Sequence, residues 1–233
     1  MKTFSRLTFL MTMTVAIVGC SKDDDAPETS IVNNNLSVTI PNVPAEVVNV
    51  KLFVDCTIEG EWIWDKDTQT LRLETTFIEG EEIASGNYSG GKLTMNLPAT
   101  VDNRYLEPMI ENIEAPVGMS VSNRDCKGIG GCLVGYDKDG NALGWFFYGK
   151  FDEENEEVLA AGICYVDSDA IITGETPFGE LIKGTATYDC NFKKGWNFLY
   201  IIFSFDEEKG LLTKTTTSNP GGLIWIFAEF VNS

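Results

Sequence analysis

Residues 47–56 read VVNVKLFVDC, and their side chains alternate. Val48, Val50, Leu52, Val54 and Cys56 fall on one face. Asn49, Lys51 and Asp55 fall on the other, where Phe53 is the exception. A period of two over ten residues describes a half-buried strand and rules out an amphipathic helix. The same rhythm recurs along the chain. Residues 60–77 read as a hairpin, and Leu93, Met95 and Leu97 alternate in KLTMNLP. Residues 132–151 form a second hairpin about Asp137–Asn141. Strands follow at 158–166, 170–174, 182–192, 197–205, 211–217 and 223–231. Short strands joined by Gly and Asp/Asn turns specify an all-β fold, an antiparallel β-sandwich of two modules with little helix.

The rhythm breaks at 99–118, where Leu106, Met109, Ile110 and Ile113 have helical spacing and Pro108 limits any helix to a short one starting near it. This places a first module at 36–98, a connection at 99–118 and a second module at 119–233. FLYIIFSF (198–205) and LIWIFAEF (223–230) are apolar on both faces, as central strands covered on both sides are.

The N-terminus has another grammar. Lys2 and Arg6 precede LTFLMTMTVAIVG, an uncharged stretch too short to span a bilayer. It ends Ile17-Val18-Gly19-Cys20 and resembles a bacterial lipobox. The resemblance implies a signal peptide at 1–19, cleavage before Cys20, and acylation of Cys20 by diacylglycerol and an N-linked chain such as palmitate. At about 0.8 kcal/mol per buried methylene, two or more chains hold firmly. Ser21-Lys22-Asp23-Asp24-Asp25 resembles the export signal of Bacteroidota surface lipoproteins. It implies an outer-membrane protein facing the cell exterior, with residues 20–35 as an acidic, polar tether.

Composition narrows the chemistry. The net charge of −18 repels nucleic acid and suits neutral glycans, basic proteins or cations. The chain has no histidine, which excludes Ser-His-Asp and Cys-His catalysis and zinc sites that need imidazole. Paired carboxylates remain as the route to an enzyme, although no Asp or Glu sits in a distinctive motif.

Five cysteines follow Cys20, so at least one has no partner within the chain. Cys126 and Cys132 bracket the glycine-rich KGIGG, whose flexibility permits a disulfide between them without establishing it. Cys56, Cys164 and Cys190 read as buried thiols on strand faces. Asp137-Lys138-Asp139-Gly140-Asn141 starts with the spacing of a calcium loop. It lacks the third oxygen ligand, and Tyr148 stands where a closing glutamate belongs, so it reads as a hairpin turn. No metal or other cofactor is expected.

Trp62, Trp64, Trp145, Phe146, Phe147 and Tyr148 are aromatics that either fill a core or offer a sugar-stacking platform. Trp145 and Phe147 share one strand face and Phe146 and Tyr148 the other. One pair therefore faces away from its own sheet's core, toward another layer, a partner or solvent.

GNYSGGKLTMNLPATVDNRYLEPM, the strand ending GWFFYGKF and the segment KKGWNFLYI together resemble Bacteroidota lipoproteins with β-sandwich ectodomains and no assigned activity. LSVTIPNVPAEVVNVKLFV also resembles fimbrillin-type surface subunits. Those mature by cleavage at an arginine, and none occurs here between Cys20 and Arg72. The expectation is a lipid-anchored surface protein without catalytic activity that engages a glycan or a protein partner. The alternatives are a small carbohydrate-active enzyme and a filament subunit.

Overall fold

The structure, a computed structural model, describes residues 30–65, 70–110, 117–152, 157–178 and 182–231. Cys20 and the signal and acidic segments lie outside the described residues. Fifteen strands and no α-helix occur among those described. β1 (Ser30–Val32) and β2 (Asn35–Thr39) form a hairpin about Asn33 and Asn34, at φ 49° and 62°. Two successive left-handed residues match the right-handed twist of the strands they join. Residues 30–35, expected in the tether, thus belong to the sheet. β3 (Asn49–Asp65) and β4 (Thr70–Ser89) pair along their whole length, and β5 (Lys92–Asn96) returns beside β4.

In the expected connection, Glu107–Pro108 form β6 against the following strand. The expected short helix near Pro108 falls in part on residues 111–116, outside the described residues. β7 (Met119–Val121), β8 (Lys127–Tyr136), β9 (Ala142–Asp152), β10 (Glu157–Val166) and β11 (Ala170–Pro177) follow. The last four are β12 (Gly184–Phe192), β13 (Gly195–Asp206), β14 (Gly210–Thr216) and β15 (Ile224–Val231).

Hydrogen bonding is continuous from β1 to β7, in the order β1-β2-β5-β4-β15-β9-β8-β10-β13-β14-β12-β11-β7. β3 pairs with both β4 and β8, so β3, β4, β15, β9 and β8 close a ring. The sheet is mixed, with β15 parallel to β4 and β12 parallel to β14. The stretches read as two modules share this sheet and one main core. That core joins Leu36, Val50, Leu52, Leu93 and Met95 to Phe146, Tyr165, Trp196 and Trp225. The indole N–H of Trp196 donates to the carbonyl of Pro98 across it, at 2.8 Å.

Both faces of β8, β9 and β15 are apolar because both are covered. Leu133, Phe146, Tyr148, Trp225 and Phe227 face the main core. Val134, Trp145 and Phe147 face a smaller cluster, together with Phe53, Cys132, Tyr136, Ile226 and Phe230. Phe53, the exception in the alternation of β3, is one side chain that β3 gives to this second layer.

Cys56 joins that layer through a bulge. Val54 pairs with Glu81 and Thr57 with Glu79, so Asp55 and Cys56 together oppose Gly80. Asp55 takes φ 51°, and the extra residue turns Cys56 onto the face of Phe53. A Cβ on Gly80 would lie 3.2 Å from Cα of Cys56, a tight contact that glycine relieves opposite the bulge.

Cys56 forms a disulfide with Cys132, with Cα atoms 6.5 Å apart. This corrects two expectations, the thiol at Cys56 and the permitted bond between Cys126 and Cys132. KGIGG is the start of β8 and not a loop. Six residues of strand separate their ends by about 20 Å, far beyond disulfide reach. Cys126 is a free thiol in a separate small core, where it donates to the carbonyl of Ser168 at 3.2 Å.

The Cys56–Cys132 bond spans 76 residues of sequence. Loop-closure entropy for that span is about 4.5 kcal/mol. The double variant Cys56→Ala/Cys132→Ala should lose stability on this scale in urea unfolding. A midpoint equal to that of the oxidised parent would mean the bond contributes nothing.

Candidate functional site

The four aromatics considered as a platform are buried. Trp145, Phe146, Phe147 and Tyr148 are 8%, 3%, 5% and 3% exposed. Tyr148 stacks on Trp225 at 4.8 Å, and Phe146 meets the ring of Phe227 at 5.0 Å. Trp145 and Phe147 meet edge to face at 6.2 Å. The pair turned away from the main core meets another layer of the same chain, so none of the four can stack on a ligand. Trp62 and Trp64 sit on β3 opposite Leu73 and Leu71, and their side chains lie outside the described residues.

The Asp137–Asn141 segment is a closed turn. Oδ1 of Asp137 accepts from the backbone N–H groups of Asp139 and Asn141, and Oδ2 accepts from Nδ2 of Asn141, all at 2.8 Å. Gly140 supplies φ 86°. The carboxylate is spent on the turn, and the Asn141 amide, above all, holds it below its ordinary range. Asp169 is lowered chiefly by the backbone N–H of Lys194, with help from Lys193. Asp206 is lowered by the N–H groups of Lys209 and Glu208. In all three the hydrogen bonds favour the ionised form, the opposite of what a general acid requires. Residues 153–156, Glu-Glu-Asn-Glu in sequence, lie outside the described residues.

The free thiols Cys126, Cys164 and Cys190 share one small core with Val166, Ile172 and Phe192. Burial pushes Cys164 up to about 12 and Cys190 up to about 11, and it also raises Cys126. They pack as small apolar groups, not as nucleophiles.

A cleft lies elsewhere, on the outward face of β2, β5, β4 and β3. Its volume is about 480 Å³, and it is half open to solvent. Asn35, Asn49, Ser85, Asn87, Thr94 and Asn96 line it, with Gly86 and Met95. Register places these side chains together. Thr94 pairs with Asn87 and Asn87 with Asn49, so the three form a row across the strands. Asn35 pairs with Asn96 in a second row, and Nδ2 of Asn35 donates to Oδ1 of Asn96 at 2.9 Å. On the reverse face Leu36, Leu93, Met95 and Val50 enter the main core, so the alternation that builds the core also turns the amides outward. A Cβ on Gly86 would lie 2.4 Å from the carbonyl oxygen of Thr94, so glycine lets β4 and β5 close beneath the cleft.

Oδ1 of Asn49 is buried and has no hydrogen-bond partner among the described residues. No charged residue lines the cleft. The ion pair of Lys51 and Glu82, at 2.8 Å, lies on the neighbouring strand positions, with the Lys51 ammonium 4.7 Å above the ring of Tyr136. Tyr136 in turn pairs with Asn49.

The sequence reading did not find these residues. The available signal was that, Lys92 apart, outward positions in NLSVT, KLTMN and GNYS carry amides and hydroxyls in a chain that is 22% charged. Comparison with known protein families, characterised proteins and solved structures finds no match to this chain.

Two outcomes follow. A carboxylate held low when folded adds stability above the unfolded carboxylate range, and that stability is lost as pH falls through the folded value. Asp137, Asp169 and Asp206 should therefore weaken the fold below about pH 4, and the triple Asp→Ala variant should show a shallower loss of melting temperature there. An unchanged acid slope would remove these turns as its cause. Alkylation of the folded protein should spare Cys126, Cys164 and Cys190. In denaturant without reductant those three should label while Cys56 and Cys132 stay blocked. Peptide mass mapping reads both states, and a labelled Cys132 would contradict the bond.

Proposed function

We propose that this chain is a lipid-anchored binding protein of the outer cell surface, held by acyl chains on Cys20, that captures a ligand without transforming it. The observation that carries the reading is the cleft on β2, β5, β4 and β3. It is large enough for a small ligand and lined by amides and hydroxyls, with no carboxylate. Such groups recognise a ligand by hydrogen bonds and supply neither a general acid nor a nucleophile of ordinary strength. The place of β15, paired on both sides within its own chain, weighs against a filament built by exchanging that strand.

The anchor and the role are tested together in cells. A labelled palmitate analogue should enter the parent chain and not Cys20→Ala, and protease added to intact cells should digest the parent. In solution, the full chain incubated with polysaccharides should release no new reducing ends. Sustained release of reducing ends, lost on Asp or Glu substitution, would replace binding with hydrolysis.

A further inference from the structure

We propose that the amide-lined cleft is a carbohydrate site that takes a neutral oligosaccharide, with the Asn49 amide among the groups that meet its hydroxyls. The inference rests on the binding role proposed above and names its ligand class.

The lining selects by charge first. Asn35, Asn49, Ser85, Asn87, Thr94 and Asn96 bring no formal charge into the cleft. An anionic ligand would enter a chain of net charge −18 with no cation in the cleft to offset it. Lys51, the nearby cation, is engaged by Glu82. A hard metal cation would find amide and hydroxyl oxygens but no carboxylate, and carboxylates are the usual charge-bearing ligands of such ions. A neutral ligand carries neither penalty.

Hydrogen-bonding capacity selects next. Each asparagine amide both donates and accepts, and each Ser or Thr hydroxyl does the same. A sugar hydroxyl has this same dual character, so neighbouring hydroxyls on a pyranose can each meet one group of the lining. Four strands at their ordinary spacing place β2 and β3 about 14 Å apart, the reach of a short oligosaccharide lying across the strands. The row Thr94, Asn87, Asn49 follows that direction, and the Asn35–Asn96 hydrogen bond sets the orientation of both amides in the second row. Beyond Asn49 the row ends at the half-buried ring of Tyr136, packed under Lys51 and beside Phe53 at 6.4 Å.

Asn49 singles out the direction of recognition. A buried acceptor without a donor is costly, and native folds retain few of them. Asn49 lines the cleft, and its Oδ1 is buried without a protein donor among the described residues. Rotation of the Asn49 amide toward the cleft lets a ligand O–H supply the missing donor.

The test uses the full chain in detergent, isotope-labelled, titrated with neutral oligosaccharides of glucose, mannose, galactose and N-acetylglucosamine, and with oligogalacturonate as a charged counterpart. A neutral oligosaccharide should bind and shift the side-chain amide signals of Asn35, Asn49, Asn87 and Asn96, while oligogalacturonate should bind at least tenfold more weakly. Asn49→Ala should weaken binding at least tenfold. Thr94→Val, nearly isosteric and outward-facing, should weaken it severalfold at unchanged melting temperature, which guards against Asn49→Ala failing to fold. Binding that shifts only signals outside the cleft overturns the site and leaves the binding role standing. Failure of every neutral oligosaccharide in the panel overturns the ligand class, and preference for oligogalacturonate overturns the charge argument. New reducing ends during the titration overturn the binding role itself.

Discussion

The structure depends on β15 lying between β4 and β9. This strand is apolar on both faces, and a strand of that kind is stable only where both are covered. Its pairing with β9 extends the aromatic layer of Phe146, Tyr148, Trp225 and Phe227 against the main core. Its parallel pairing with residues 72–74 of β4 brings the long ribbon round and closes the ring. The opposite face of β8, β9 and β15 is then an interior, and Trp145, Phe147 and Phe230 pack there with Val134. The ribbon can make that turn because its register breaks three times, after Leu52, Val54 and Glu59. Each break adds local bend and twist. The disulfide fixes the middle break to β8.

Strand identity was legible because alternation is local. KLTMN, the run from 158 to 166 and the strand around 198–205 all lie where their patterns put them. Partnership was not legible, because nothing in a strand says which distant strand it meets. Residues 36–98 and 119–233 looked separable for that reason, and the pairing of β3 with β8 joins them. KGIGG looked like a loop because glycine is common in loops. Here the glycines admit neighbours: a Cβ on Gly131 would lie 2.7 Å from a methyl of Leu52, and one on Gly128 would lie 2.5 Å from the sulfur of Met109. Cys56 appeared to share a face with Val54 until one bulged residue reversed it. The cleft was the least legible feature, since it is made from the outward half of four strands whose inward half carries the readable signal.

Electrostatics divides the surface in a useful way. The acidic residues with shifted ionisation sit in turns, where backbone N–H groups satisfy them. The face of β2, β5, β4 and β3 around the cleft carries amides and hydroxyls instead, bordered by a paired Lys51 and Glu82. Carboxylates distributed over the rest of the molecule keep copies of the chain apart and discourage anionic partners. The cleft itself is lined by no ionised side chain, so nothing entering it has to displace the tightly bound water of a charged group.

The closure by β15 also sets an order of events. β4 ends at Ser89, and the strand that completes its ring begins at Ile224, so more than half of the sequence intervenes. Contacts between such distant segments are slow to form, because the loop must be ordered before the pairing rewards it. Until then the ribbon carries an open edge and the aromatic layers of β9 lack a cover. A chain emerging N-terminus first therefore cannot lock prematurely. It stays threadable until its last described strand arrives, and a nascent chain stalled before that point offers its exposed sheet edges and aromatic faces to chaperones or to its neighbours.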